Sequence, residues 1–158
     1  MPKFYSDQTV DIAAADRVSW TFDHFPRVYL SYSAGKDSTV MLYLAAEEAR
    51  RRNRRLGVLL VDLEGQYRLT IDHGLAQLDA YSDVLDVHWV ALPIALRNAV
   101  SVFEPKWECW DPDRQEAWIR TPPETAITDP EHFPFFYRGM EFEDFVPAFG
   151  EWYAQGEP

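Results

Sequence analysis

The chain is poor in the residues that build covalent or metal-held scaffolds. It has a single cysteine, Cys109. That excludes an internal disulfide and a cysteine-based zinc or iron–sulfur site within the chain. It has no run of 18 apolar residues and no charged–apolar–small pattern at its start, so neither a spanning helix nor a secretory signal is expected. A cytoplasmic protein without membrane contact is the expectation. Positive charge is also scarce: 15 Lys and Arg stand against 26 Asp and Glu, a net charge of −11. A surface of that sign disfavours nucleic acid as a partner, because backbone contact needs basic residues. The local exception is Arg50-Arg51-Arg52-Asn53-Arg54-Arg55. It falls where a helix is expected to end, and cations suit that end of the dipole. His24, His73, His88 and His132 have no ligand-like spacing, and none is assigned catalytic work. Internal repeats and low-complexity tracts are missing as well.

What is present is a globular composition. Apolar residues make up 47% of the 158-residue chain and aromatics 15%, enough for one domain with a real core. The most informative stretch lies at residues 29–44. Val28, Tyr29 and Leu30 suit a buried strand. Ser33-Ala34-Gly35-Lys36-Asp37-Ser38 is a small polar turn with one glycine to absorb an unusual backbone angle. Ala34 is expected to keep a negative φ. From Thr39 the pattern turns helical, with Val40, Met41, Leu44 and Ala45 on one face. Such a turn aims several N–H groups at one spot, and the helix start adds about half a positive charge. That is an anion cradle. The Gly-x-x-x-x-Gly-Lys-Ser/Thr spacing of a Walker loop is absent.

Around this turn the chain reads as alternating helices and strands. Residues 9–25 fit a helix ended by Pro26, and residues 27–32 fit the first strand. The second helix is expected to reach about Arg55. Residues 56–61, Leu-Gly-Val-Leu-Leu-Val, have the continuous apolar character of a parallel strand covered on both faces. Residues 70–81 fit a crossover helix, residues 84–92 a third strand, and residues 94–103 a short helix. Strand–helix–strand in this order forms a right-handed βαβ unit. Residues 1–103 thus form an α/β core. Residues 104–134 are rich in Pro, Trp and charge, the mark of a functional long loop. Residues 141–153 return to an amphipathic helix, so that residues 104–158 pack on the same domain.

The turn should hold a di- or triphosphate. Ser33 and Ser38 offer hydroxyls. Lys36 offers charge if it points inward and is otherwise solvated. Asp37 could cap the helix or hold Mg²⁺ against phosphates, since magnesium takes one or two carboxylates plus phosphate oxygens. Asp62 and Glu64 leave the carboxyl end of the second strand, the edge where open α/β sheets bind ligands. They could reach a metal or a ribose, or Asp62 could simply shape a turn. Trp107, Trp110 and Trp118, with Arg114 and Arg120, could stack a base and grip an anion or could pack as a lid. Cys109 is expected to be buried and inert.

Ser-Ala-Gly-Lys-Asp-Ser resembles the Ser-Gly-Gly-x-Asp-Ser pyrophosphate loop of the ATP pyrophosphatase (PP-loop) superfamily. With the string from Val28 to Ser38, the string Gly57-Val58-Leu59-Leu60-Val61-Asp62-Leu63-Glu64-Gly65-Gln66-Tyr67, Trp107-Glu108-Cys109-Trp110-Asp111-Pro112, the run from Phe133 to Phe142 and Phe149-Gly150-Glu151-Trp152-Tyr153, the chain is similar to the phosphoadenosine phosphosulfate (PAPS) reductase/sulfotransferase-like family that includes the immunoglobulin-binding regulator A proteins. The likeness covers about residues 10–156. It implies an adenine-nucleotide α-hydrolase-like, Rossmann-like three-layer sandwich with a mainly parallel sheet of order 3-2-1-4-5. It implies ATP, PAPS or adenosine phosphosulfate (APS) as the ligand. Ser31, Ser33, Ala34, Gly35, Lys36, Asp37 and Ser38 would then meet the phosphates or sulfate, and Val61, Asp62 and Glu64 the adenosine side. If active, the protein would transfer an adenylyl or sulfonyl group. The alternative is a non-catalytic nucleotide-binding regulatory subunit, and a third reading is an ATP-dependent thiolation enzyme acting on nucleic acid. The catalytic cysteine motif of PAPS reductases is missing, and the family's members continue past the position of Pro158. The sheet is therefore expected to be incomplete on one side. The outer edge of the first strand is expected to be covered by residues 118–128, by a second copy in a homo-oligomer, or by a partner chain.

Overall fold

The computed structural model describes residues 7–156. Helix α1 spans Val10–His24, strand β1 Tyr29–Ser31, α2 Lys36–Arg51, β2 Leu56–Val61, α3 Arg68–Ala80 and β3 Leu85–Val90. Two short strands follow, β4 at Ala95–Arg97 and β5 at Lys106–Glu108, and α4 at Phe142–Ala154 closes the chain. The protein is α/β. Strands β1, β2 and β3 pair in parallel in that spatial order, with Leu30 beside Val58 and Val58 beside Val87.

Strand β2 shows why the sheet has two covered faces. Its side chains alternate between two apolar clusters. Leu56, Val58 and Leu60 pack with Val18 and Phe22 of α1, with Leu42 and Ala46 of α2, and with Ile71 and Leu78 of α3. Leu59 points the other way, to Phe145, Phe149 and Tyr153 of α4 and to Phe133. Helices therefore lie on both sides of the sheet. Gly57 is what lets α4 sit so close: a Cβ there would stand 2.6 Å from the Tyr153 ring. Cys109, Trp110, Phe133, Met140 and the α4 residues Phe145, Phe149 and Tyr153 share this second cluster with Leu59, Val90 and Leu92.

Helix α2 stops at Arg51 and does not run on to Arg55. Asn53 takes the left-handed conformation, φ +53°. The amides of Asn53 and Arg54 return to the carbonyls of Arg50 and Ala49 at 3.0 and 2.9 Å, a Schellman close with Asn in place of the usual Gly. The basic run is then consumed by neighbours. Arg50 meets Asp83 at 2.6 Å, Arg51 meets Glu48 at 2.6 Å, and Arg52 meets Asp23 at 2.5 Å. Arg54 donates to the carbonyls of Phe22 and Phe25 at the end of α1. Arg55 bonds Asp86 and the Leu85 carbonyl. The run laces α1, α2 and β3 together at the amino-terminal end of the sheet.

Two expectations are corrected here. Residues 94–103 are not a helix. Ala95–Arg97 pairs antiparallel with Lys106–Glu108, because the apolar residues after Pro93 find a distant strand partner that local periodicity cannot reveal. Residues 118–128 do not cover β1. Ile127 lies beside Val90 at the opposite edge, bonding the Trp89 carbonyl and the Ala91 amide at 2.7 and 2.9 Å. Strand β1 is accordingly an edge of its sheet and not a central strand, and among the described residues no strand pairs with its outer side.

Candidate functional site

The turn between β1 and α2 is built around hydroxyl groups. The hydroxyls of Ser38 and Thr39 donate to the Gly35 carbonyl at 3.0 and 2.8 Å. With its proton so engaged, Ser38 accepts from Ser33 across 3.1 Å, and Ser33 in turn accepts from the Gly35 amide at 3.4 Å. Gly35 is the residue before the helix, and no side chain caps α2 there. The helix thus opens without a side-chain cap, the arrangement that suits an oxyanion.

The backbone strain sits one residue from where it was expected. Ala34 has φ +56°, whereas Gly35 is extended at φ −81°. A Cβ in the left-handed region costs about 1–2 kcal/mol, so the turn carries strain that a glycine at position 34 would not. Opposite Ala34 stands Gly74 of α3, where a Cβ would be 3.3 Å from that of Ala34. The bare glycine lets α3 close on the turn and brings His73 to it. His73 Nε2 lies 3.1 Å from Thr39 Oγ1. Sequence reasoning left His73 without a role. The only signal was its place on the first turns of a helix next to the strand end. Lys36 and Asp37 are solvent-exposed and lie 3.7 Å apart, so the Lys36 ammonium is solvated and does not point into the turn. Asp37 makes no cap. Ser31, on β1, is exposed.

The carboxylates after β2 do something else. Asp62 is fully buried. It accepts from the Glu64 amide at 2.9 Å, the Trp89 indole at 2.8 Å and Arg120 at 2.5 Å. Glu64 is buried too and has φ +62°. Its two oxygens accept from the amides of Trp110 and Ile119 at 2.8 and 3.0 Å. The pair clasps the long loop onto the carboxyl edge of the sheet. Val61 is half-buried beside them, against the α4-side cluster.

Of the two readings for the Trp/Arg loop, the packed one describes Trp110, Trp118 and Arg120. Trp110 donates to the Asp62 carbonyl at 2.6 Å, Trp118 meets it edge-on at 5.3 Å, and the Arg120 guanidinium lies 5.0 Å over the Trp110 ring. Trp107 and Arg114 stay accessible beside a small cleft of about 150 Å³. Cys109 is buried, and that burial pushes its thiol up to about 12, which leaves it unreactive at neutral pH. A cavity of about 610 Å³ lies between α1 and the far half of α2, away from the turn. Among the described residues, no cluster of three or more His, Cys, Asp or Glu could hold a metal ion, and no helix is long and apolar enough to cross a membrane.

Comparison with known proteins adds one relative. A protein of Escherichia coli (strain K12) named "Uncharacterized protein YbdN" is 45% identical over 147 residues. The match takes in 92% of this chain and 36% of that protein, so the chain spans about a third of the relative's length. No family profile matches the chain, and no solved structure matches it.

Proposed function

We propose that this protein binds an adenine nucleotide, ATP, PAPS or APS, through the turn at residues 33–38, as a PP-loop domain of the PAPS reductase/sulfotransferase-like kind. One observation carries the reading. A turn of hydroxyls, with the family-like sequence Ser-Ala-Gly-Lys-Asp-Ser, sits at the uncapped start of α2, at the carboxyl end of a parallel strand. The α/β architecture with helices on both faces is consistent with the adenine-nucleotide α-hydrolase fold. When bound, Mg²⁺ would share its charge between the phosphates and Asp37, the one carboxylate in the first turn of α2, as a hard cation with one or two protein ligands does. The turn would stabilise a leaving pyrophosphate or sulfate by preorganised N–H donors.

The non-catalytic, regulatory reading has its own support. Cys109 is buried, and Asp62 and Glu64 are fully engaged inside the protein. Among the described residues, neither a free thiol nor a free buried carboxylate faces the turn to act on a bound nucleotide. A partner also suits the sheet edge. The Val28 carbonyl and the Tyr32 amide bond to β2, so by alternation the polar groups of Tyr29 and Ser31 face outward. A strand from a second copy or a partner chain would satisfy them.

Isothermal titration with ATP, PAPS and APS tests the reading, alongside a Ser33→Ala/Ser38→Ala variant. Binding by the wild type and its loss in the variant is the expected result. A folded wild type that binds none of the three sinks the proposal. Pyrophosphate release in the same samples separates enzyme from sensor.

A further inference from the structure

We propose that copies of this chain join head to tail, with the tip of the β4–β5 hairpin of one copy seated in the groove between α1 and α2 of the next. The contact is separate from the turn at residues 33–38 and does not rest on the nucleotide reading. Two surfaces carry it. The first is the hairpin tip. Strands β4 and β5 pair antiparallel, and the Asn98 amide closes the loop on the Pro105 carbonyl at 2.9 Å. Within that loop Val100, Val102 and Phe103 are 96%, 88% and 93% exposed. Hydrogen bonds brace the loop in this shape. The Asn98 side chain accepts from the Val100 amide at 3.0 Å, and the Ser101 hydroxyl accepts from the amides of Phe103 and Glu104 at 3.2 Å. Single exposed apolar residues are ordinary on a surface. Three within four positions on a braced tip form an apolar knob, and a contiguous patch of that kind marks a contact site. The bracing also lowers the ordering cost of binding.

The second surface is the groove. The cavity of about 610 Å³ has Ala15, Val18, Tyr43 and Leu44 as its apolar lining. One turn back along each helix stand Ile12 and Val40, both half exposed, which continue the apolar strip. The rim carries the ion pairs Arg50–Glu47 and Arg51–Glu48. Arg51 keeps 63% of its side chain exposed within its pair. Glu104, next to Phe103, is exposed and has no ion-pair partner among the described residues. An apolar knob with a free acid beside it thus matches an apolar groove with an accessible guanidinium at its rim. Knob and groove lie toward opposite ends of the sheet. Glu104 shares a cleft with Glu64, beyond the carboxyl end of β2, whereas Arg50 and Arg51 close α2 at the amino-terminal end. One copy cannot fill its own groove, so the occupant is a second copy. Each copy offers one knob and one groove, a contact that repeats along a row or closes on itself.

Sedimentation equilibrium from micromolar to near-millimolar protein reads the average mass of the wild type, Phe103→Asp and Tyr43→Glu. The wild-type mass is expected to rise above that of one chain as concentration rises. Each variant should associate more than about tenfold more weakly, the effect of a charge placed at the centre of a small apolar contact. An equimolar mixture of the two variants keeps one intact knob and one intact groove, and it should form pairs and nothing larger. Val100→Asp and Ile12→Glu, also at exposed positions, repeat the test where circular dichroism shows that a first variant has lost its fold. A wild type that stays a single chain over the whole range overturns the proposal; if that monomer binds phosphatidylcholine vesicles and Phe103→Asp does not, the knob serves a lipid surface instead. Assembly lost in Phe103→Asp but kept in Tyr43→Glu also overturns it, since two knobs would then meet each other. So does a mixture that stays unassembled.

Discussion

Replacing Glu64 separates two effects that usually come mixed: lost hydrogen bonds and relieved backbone strain. Its carboxylate is the acceptor for two loop amides, those of Trp110 and Ile119, and Glu64 itself is buried at 4% exposure. Removing the side chain strands two donors at the seam between loop and sheet. Hydrogen bonds to a charged partner are worth about 1.5–3 kcal/mol each. Part of that returns if water reaches the seam, so Glu64→Ala should cost about 3–4 kcal/mol. Alanine has a Cβ as glutamate does, so the strain of φ +62° is unchanged and cancels in the comparison. Glycine removes that strain as well. Glu64→Gly should therefore be less damaging than Glu64→Ala by about 1 kcal/mol. Glu64→Gln keeps one acceptor and turns an NH₂ toward the second amide, for a loss of about 2 kcal/mol. Urea unfolding followed by tryptophan fluorescence reads all three, because Trp110 and Trp118 lie in the clasped loop. The reasoning fails if Glu64→Ala unfolds within about 0.5 kcal/mol of wild type. It also fails if the glycine variant is the weaker of the two.

Three other outcomes follow from the geometry. Ala34→Gly should raise the melting temperature, with a gain of up to about 1 kcal/mol, since it relieves φ +56° for the loss of one small contact; an unchanged or lowered melting point would show that the Ala34 methyl matters more. Cys109 should resist iodoacetamide in the native protein near pH 7.5 and react fully in urea, because burial pushes its thiol up to about 12; stoichiometric labelling of the folded form would contradict this. Arg51 first, then Arg52 and Ser19, hold the Glu48 carboxyl down at about 2 from 4.5, against the opposing effect of burial. A group depressed on folding adds stability above its unfolded value and loses it as pH falls through the folded one. Stability should therefore decline from about pH 4.5 to about pH 2, and Glu48→Gln should flatten that limb in an acid titration of the unfolding free energy.

The parts of the fold governed by local pattern were legible in the sequence. The apolar run of β2, the two crossover helices and the stripe of α4 all appear near their expected places, because each is decided within a few turns of chain. What was missed depends on distant partners. Ala95–Arg97 became a strand because Lys106–Glu108 lies beside it, and Ile127 chose the β3 edge over the β1 edge. In the candidate site, the polar turn and its hydroxyls were readable from six residues. The left-handed backbone fell on Ala34 and not on the glycine next to it, which composition alone cannot assign. Asp62 and Glu64 looked like free carboxylates at a ligand edge; their partners, Trp89, Trp110, Ile119 and Arg120, lie 27 to 58 residues away in sequence. His73 was invisible for the same reason, since its tie to Thr39 spans 34 residues.

The arginine run at the base of the sheet has a consequence for the rate at which any anion arrives. Five arginines of that run are matched by acidic side chains or backbone carbonyls of the same chain. The densest positive charge in the sequence thus contributes little to the potential outside the molecule, while a net charge of −11 remains. On the proposed reading, a nucleotide would approach through a repulsive long-range field and be captured only at contact distance by the turn. Added salt screens that repulsion. Association with an anionic nucleotide should then quicken as ionic strength rises, the reverse of the behaviour of proteins that steer phosphates in with a basic surface.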